Sequence, residues 1–475
     1  MDQRVIAGLG LPGPALMELA ADGVVRAILQ HHAAEARRGV GVVCGPGNNG
    51  GDGWVVARRL RALGYPVAVV AHGIPTPGTD AAVMAAVARS AGVVPADPGA
   101  PGLWVDALFG TGVSRPLDDA ARALVARMGD GAPVVAVDVP SGLCADTGRV
   151  WGAAVVATRT VTFAREKLGM WLGAGPERCG VVELVDLGLG VATAPDDLVS
   201  AWVVEASDVR AAWPRRVRSD HKGRSHLLVV AGSAAMAGAA VLACRGALAA
   251  GAGLVTLAAP DGARPRLGAL PPEVMVWSSG PGDHTTQLPD PARFTAVLAG
   301  PGLGGGRPLD PALQAALAGW WASSTAPLVF DADALVATGA PGPGPRVFTP
   351  HPGEAARLLG RSVPEVEADR LAAAASLATR GVALLKGPHT VISDGGVPSL
   401  NPTGNPVLAT GGTGDVLSGV VGALLARGVG ALTAARLGAW VHGAAGDHLA
   451  RTRSQGWLAS DVATAVPGAL EEVLR

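Results

Sequence analysis

The chain has 475 residues, a formal net charge of −1 and an isoelectric point near 6.8. That length exceeds one ordinary domain and suggests two. The balanced charge excludes the strongly basic surface expected of a nucleic-acid binder or of a protein held on an anionic membrane.

With 68 Gly and 37 Pro but one Tyr and five Phe, the cores must be built from Ala, Val and Leu. Only Lys167, Lys222 and Lys386 are lysines among 38 basic residues, so each marks a position where arginine would not serve equally. Cys44, Cys144, Cys179 and Cys244 show no metal spacing and read as reduced thiols. Residues 1–20 lack the pattern of a signal peptide. The uncharged run from Leu227 to Cys244 is broken by glycines, as a buried strand, turn and helix would be. A soluble cytoplasmic protein is expected.

Ala15 to Ile28 has apolar residues at helical spacing. Gly39 to Cys44 reads as a buried strand that runs into GPGNNGGDG and then an amphipathic helix. Strand, glycine loop and helix together place a phosphate on a helix N-terminus. The glycines are not spaced as GxGxxG, and no acid follows the next strand, Val67 to Val70, so the dinucleotide-redox fingerprint is absent. LWVDALFGTG puts Asp106, and VVAVDVPSG puts Asp138, at strand ends. In a parallel sheet those ends share one rim with the first glycine loop. Asn48, Asn49, Asp52, Asp106, Asp138 and Ser141 would then surround one pocket whose oxygen ligands suit a hard cation. Taken singly, Asp106 and Asp138 are ordinary turn formers; their recurrence on one rim favours function.

GPGNNGGDG, DALFGTGVSRP and VDVPSG resemble the signature segments of the NAD(P)HX epimerases, a family that includes apolipoprotein A-I-binding protein. The resemblance implies a hydrated-nicotinamide nucleotide site lined by Asn48, Asn49, Gly50, Gly51 and Asp52, and by the loop Gly110, Thr111, Gly112, Val113, Ser114, Arg115 and Pro116. It implies a potassium ion (K+) held by Asn49, Asp106 and Ser141, and substrate contact by Asp138. Epimerising C6 of the ring needs a positioned acid/base and no redox cofactor, and Asp138 is the candidate. Val181 to Asp186 reads as the last strand of this half. Residues 188–195 are weakly patterned, which places the domains at 1–200 and 201–475.

In the second half, SDHKG places Lys222 just before the strand Leu227 to Ala231, and a loop of small residues follows. VLAGPGLG repeats the strand-then-glycine theme, LVFDADAL puts Asp331 and Asp333 at another strand end, and VFTPHPGEAARLLG puts His351 and Glu354 at a helix start. Asp331 and Asp333 could equally cap a helix, and His351 could be a capping histidine. ALLKGPHTVISDG reads as a hairpin headed by Lys386. In NPTGNPVLATGGTGDVLSG, Gly411, Gly412 and Gly414 allow successive amides to converge on a phosphate before an apolar helix. Asp415 beside such a cradle would repel the anion, but it makes sense as a base for a hydroxyl about to meet the phosphate. In isolation the motif is also a glycine turn with an Asp cap. His442 and Asp447 read as packing and capping.

Together these segments resemble the nucleotide-dependent NAD(P)H-hydrate dehydratases, of the ribokinase-like superfamily, over residues 205–475. With the first half, the chain resembles the fused bifunctional NAD(P)H-hydrate repair enzymes of bacteria. The implied fold class is α/β, a Rossmann-like three-layer N-terminal domain plus a ribokinase-like α/β C-terminal domain. Ala239, Gly302, His351 and Asp415 would face the hydrate. Lys386, Gly387, Pro388, His389, Thr390 and Gly414 would face ADP or ATP with Mg2+. Val407 and Leu408 depart from the usual Gly-Met, Ala235 and Ser225 stand where Gly is common, and Val336 where Asn is. The partners expected are the small molecules NADHX, NADPHX, ADP and ATP, in a homo-oligomer with no nucleic acid or membrane. The alternative is a ribokinase-like small-molecule kinase fused to a nucleotide- or protein-binding module.

Overall fold

Runs such as VGVVC, LWVDA and VVAV are apolar on both alternating faces, which suits parallel strands covered on both sides. The computed structural model describes residues 10–188 and 199–475, so most of the weakly patterned 188–195 stretch lies outside the described residues. The chain divides into two compact units, Met1–Val199 and Ser200–Arg475.

The first unit has strands β1 (Val40–Cys44), β2 (Val67–Ala71), β3 (Leu103–Ala107), β4 (Val134–Val137), β5 (Arg159–Phe163) and β6 (Val181–Val185). They form one parallel sheet in the order β2-β1-β3-β4-β5-β6. Helices α1 (Gly13–His31), α2 (Asn48–Ala62) and α3 (Asp80–Ser90) bury Ile28, Trp54, Leu60 and Met84 on one face, against Val42 and Val105. On the other face α4 (Asp119–Met128) buries Ala121, Val125 and Met128 against Val43 and Trp104. Because β2 and β3 flank β1, the loops leaving β1 and β3 diverge at a topological switch point, where open α/β sheets bind ligands. Gly45 and Gly50 let the two loops meet: a Cβ on Gly45 would lie 1.8 Å from the Leu108 carbonyl oxygen, and one on Gly50 1.9 Å from that of Gly45.

The second unit has β7 (Trp202–Val203), β8 (His226–Val230), β9 (Leu254–Ala259), β10 (Val274–Ser278), β11 (Ala296–Ala299), β12 (Leu328–Phe330), β13 (Arg346–Phe348), β14 (Val382–Leu385), β15 (Val391–Ser393) and β16 (Ser399–Leu400). The sheet order is β10-β9-β8-β11-β12-β13-β14-β15-β16-β7, parallel from β10 to β14, with β15 antiparallel to both neighbours. β7, which opens the unit, pairs in parallel with β16 at the far edge. The switch point lies between β8 and β11. Around the sheet lie α5 (Ala237–Ala249), α6 (Pro311–Ser323), α7 (Pro352–Leu359), α8 (Thr413–Ala426), α9 (Ala431–Ala450) and α10 (Ala459–Leu474). Among the described residues, no helix is long and apolar enough to cross a membrane.

α8 is buried continuously from Val416 to Ala426, packed on the sheet and alongside α5. The two helices touch backbone to backbone. A Cβ on Gly246 would sit 2.3 Å from the Val416 carbonyl oxygen, and one on Gly419 2.1 Å from that of Ala243. Val407 and Leu408, the departures beside the glycine loop, are absorbed locally: Val407 is buried, and a Cβ on Gly446 of α9 would come within 2.8 Å of Leu408 Cγ. Gly419→Val is therefore expected to push α8 off α5 and to destabilise the second unit by about 1–3 kcal/mol, read as a lower denaturant midpoint for that unit.

Candidate active sites

In the first unit, Asp106 is the penultimate residue of β3 and fully buried. Its carboxylate accepts from the Ser141 hydroxyl at 2.6 Å, the Ser141 amide at 2.8 Å and the Leu108 amide at 3.2 Å. Burial nevertheless pushes its pKa up to about 6, the three hydrogen bonds opposing. No Lys or Arg among the described residues pairs with it. In the first turn of α2, the buried Oδ1 and Nδ2 of Asn49 have no hydrogen-bond partner among the described residues, and the side chain lies against Gly110.

Asp138 follows β4 directly and holds φ at 67°, a left-handed conformation that costs a non-glycine residue about 1–3 kcal/mol. Its Oδ1 accepts from Thr162 Oγ1 at 3.2 Å and from the Lys167 ammonium, which is also fixed by Thr162 Oγ1 at 2.9 Å and the Phe163 carbonyl at 3.0 Å. Lys167 carries no role in the sequence motifs. The available signal is its rarity as one of three lysines. Asn48, Thr111, Gly112, Ser114, Arg115 and Pro116 are exposed on the same rim, Gly110, Val113 and Asp52 are half-buried, and Gly50 and Gly51 lie beneath it.

In the second unit the catalytic candidates gather at the carboxyl edge of β11 to β14. Gly302 (φ 67°) abuts the start of α5: a Cβ there would meet Met236 at 2.8 Å and the Ala239 methyl at 3.0 Å. The Gly304 amide donates to Asp333 at 2.8 Å, tying the loop after β11 to the loop after β12. Asp331, buried after β12, accepts from Lys386 Nζ at 3.0 Å and from the Ala332 amide at 2.9 Å. Lys386, at the end of β14, also approaches Gly414, where a Cβ would come within 3.3 Å of Nζ. Burial works against its charge, but Asp331, Glu354 and Asp415 outweigh burial and raise its pKa.

Asp415 sits in the first turn of α8, which starts at Thr413 after Gly412 at φ 93°. Among the described residues no donor engages its carboxylate. Burial and the Asp331 charge push its pKa up to about 7; Lys386 opposes, and Asp333 and Glu354 add to the rise. His351 is half exposed and caps α7, its Nδ1 accepting from the Gly353 amide at 3.0 Å while Glu354 accepts from the His351 amide at 2.8 Å. It is thus a capping histidine, and the charges of Lys386 and Asp331 reach it. Gly387, Pro388, His389 and Thr390 form the β14–β15 turn, with His389 at φ 47°. Asp447 anchors the NPTGN loop by accepting from the Gly404 amide at 2.9 Å and from Asn405 Nδ2 at 2.8 Å. His442 is buried, its pKa pushed down to about 4 by burial, so it is neutral at pH 7.

The second half, residues 227–468, matches the family described as NAD(P)H-hydrate dehydratase, and residues 13–169 match YjeF-related protein N-terminus. The bifunctional NAD(P)H-hydrate repair enzyme of Moorella thermoacetica is 39% identical, over 100% of this chain and 95% of that protein. Its counterpart from Escherichia coli is 39% identical over 89% of this chain and 83% of that protein. A crystal structure of ADP/ATP-dependent NAD(P)H-hydrate dehydratase from Bacillus subtilis, co-crystallised with ATP/Mg2+, superposes with a TM-score of 0.52 at 32% identity, over 58% of this chain and 99% of that one.

Asp415 keeps its proton up to about pH 7 in the fold but only to about pH 4 in an unfolded chain. Between those values the folded state holds the extra proton, so this group makes stability fall as pH rises, by at most about 1.4 kcal/mol per pH unit. Denaturation of the second unit at pH 5 and pH 7 should show a smaller loss in Asp415→Asn than in the wild type.

Proposed function

Since the chain belongs to the bifunctional NAD(P)H-hydrate repair enzymes, which join epimerisation of hydrated NADH and NADPH to their ADP- or ATP-driven dehydration, we propose that Asp138 is the acid–base group of the first reaction and Asp415 the base of the second. The observation that carries the second assignment is a carboxylate with no hydrogen-bond donor among the described residues, at the start of α8, whose pKa is raised to about 7. A group titrating near neutrality takes a hydroxyl proton most effectively.

Hydroxide is a poor leaving group from the reduced ring, and phosphorylation makes departure easy. Asp415 accepts the proton as the substrate hydroxyl oxygen bonds to the terminal phosphorus, and the bond from that phosphorus to the departing nucleotide breaks. The ring C6–O bond then breaks, phosphate leaves, the neighbouring ring carbon C5 gives up a proton to solvent or to the leaving phosphate, and the nicotinamide double bond is restored. The amides of Gly411, Gly412 and Gly414 and the positive end of α8 stabilise the charge on the transferring group, with Lys386 beside Gly414. Ala239, Gly302 and His351 would line the hydrate side, and Gly387, Pro388, His389 and Thr390 the nucleotide side. Asp331, Asp333, Glu354 and Asp415 offer oxygen, but no three His, Cys, Asp or Glu among the described residues form a metal cage. That fits Mg2+ held chiefly by nucleotide phosphates, where it neutralises charge on the transferring group.

For the first unit, Asp138 would remove and return a proton on the substrate, with Lys167 positioning its carboxylate. Asn48 to Asp52 and Gly110 to Pro116 would hold the nucleotide. The unpartnered Asn49 amide, buried Asp106 and Ser141 fit a K+ ion, which would supply the positive charge that Asp106 lacks.

Absorbance of reduced nicotinamide, followed on an R/S mixture of hydrated NADH with ADP or ATP, tests the whole reading. Full recovery is expected. Recovery stopping at the S fraction would remove the epimerase assignment, and accumulation of a stable phosphorylated product would replace dehydration by simple kinase activity. Asp415→Asn should lower dehydration by at least 100-fold, on the order of what a general base contributes, while R/S interconversion continues. Asp138→Asn should abolish interconversion yet leave dehydration of the S form; a retained rate in either variant overturns its assignment. Separately, K+ should raise the melting temperature of the first unit more than Li+ does, and Asp106→Asn should erase the difference.

A further inference from the structure

A cleft of about 620 Å³ opens in the second unit at the edge of the sheet opposite the catalytic residues. Its walls include Ser225, Gly253, Thr295 and Pro327, the residues just before β8, β9, β11 and β12, together with the C-terminal end of α8. Asp415 lies at the other end of that helix, about 17 Å from Ala426 at 1.5 Å per residue. The cleft is therefore separate from the dehydration site.

Five cations line it, Arg215, Arg216, Lys222, Arg224 and Arg427, against one carboxylate, Asp220. Asp220 is already committed, accepting from Arg224 at 2.9 Å and from the Val217 amide at 2.9 Å. Arg216 and Arg427 are both held on the 250–251 turn, donating to the Gly251 and Ala250 carbonyls at 3.1 and 3.2 Å, and Arg427 also donates to the Pro214 carbonyl. The fold thus pins two guanidinium groups close together. Burial first, and then the Arg216 charge, lower the pKa of Arg427, and the Asp220 charge offsets part of that. Arg215 and Lys222 make no ion pair or side-chain hydrogen bond among the described residues, so their charge is available to a ligand. Lys222 is one of the three lysines of the chain, and neither reaction uses it.

We propose that this cleft is a second, non-catalytic site that binds a polyphosphate anion, gripped by Arg215, Arg216, Lys222 and Arg427. The volume is within the range of small-molecule sites. No Phe, Tyr or Trp lines it, and His221 is the one aromatic ring in the lining, so recognition rests chiefly on the phosphates. The anion is either free inorganic polyphosphate or the phosphate tail of a nucleotide.

Calorimetric titration of the full chain with inorganic tripolyphosphate, and in parallel with ATP, tests this. Tripolyphosphate is expected to show a binding event that weakens at least tenfold in the double variant Arg215→Ala/Lys222→Ala and weakens with added salt. Both residues are exposed, and dehydration at saturating substrate should be unchanged in the variant. Equal affinity of this event for tripolyphosphate and ATP would identify the inorganic anion, and tighter ATP binding a nucleotide tail. Wild-type stoichiometry and affinity in the double variant would overturn the proposal, as would loss of all tripolyphosphate binding in a chain whose catalytic cradle alone is altered by Gly414→Asp.

Discussion

The backbone contact between α5 and α8 is the constraint on which the second unit depends. Gly246 and Gly419 remove the side chains that would separate the helices, and α8 has no charged residue between Asp415 and its end. A helix so placed cannot slide or tilt without opening a void in a packed core. Its N-terminus is therefore fixed against the carboxyl edge of the sheet, where the loops after β11, β12, β13 and β14 end. The first unit solves the same problem with Gly45 and Gly50, which bring the start of α2 against the loop after β3. In both units, glycines at crossing points give the site its position.

Around the fixed helix end the electrostatics are deliberately unbalanced. Among the described residues, Asp331, Asp333 and Glu354 bear on Asp415 against one opposing cation, Lys386, and that cation is hydrogen-bonded to Asp331. Burial and Coulomb repulsion then fall on Asp415, whose carboxylate has no donor among the described residues. A closer ion pair to Asp415 would lower its pKa and weaken it as a base. Asp331 thus keeps the lysine in place and, through its own charge, helps keep Asp415 basic.

The sequence made the strands, the switch-point loops and the glycine cradle legible because each rests on local chemistry: alternating apolar runs, glycine where the backbone must turn, and a carboxylate following a strand. What it left open was non-local. The pairing of Trp202–Val203 with β16 joins segments nearly two hundred residues apart, and no periodicity in either segment encodes it. The Lys167–Asp138 contact depends on the register of β4 beside β5. The accommodation of Val407 and Leu408 was equally hidden, because the space for Leu408 is supplied by Gly446, on another helix. That His351 caps α7 also needed coordinates to resolve.

Backbone strain and lysine usage converge on the same places. Among the described residues, the non-glycine residues with positive φ are Asp138, Ala164, Ala332 and His389. Asp138 follows β4 and Ala164 follows β5, Ala332 follows Asp331, and His389 lies in the turn after Lys386. Left-handed backbone is retained only where the surrounding structure enforces it, and here it aims side chains and amides at the carboxyl edges of the two sheets. Two of the three lysines sit at those edges, each donating to a carboxylate: Lys167 to Asp138 and Lys386 to Asp331. An ammonium is a compact point charge on a flexible stem, and it can serve a carboxylate while still reaching a backbone carbonyl or lying beside a phosphate cradle. A planar guanidinium presents its donors as a rigid fork and is not equivalent to an ammonium at either place.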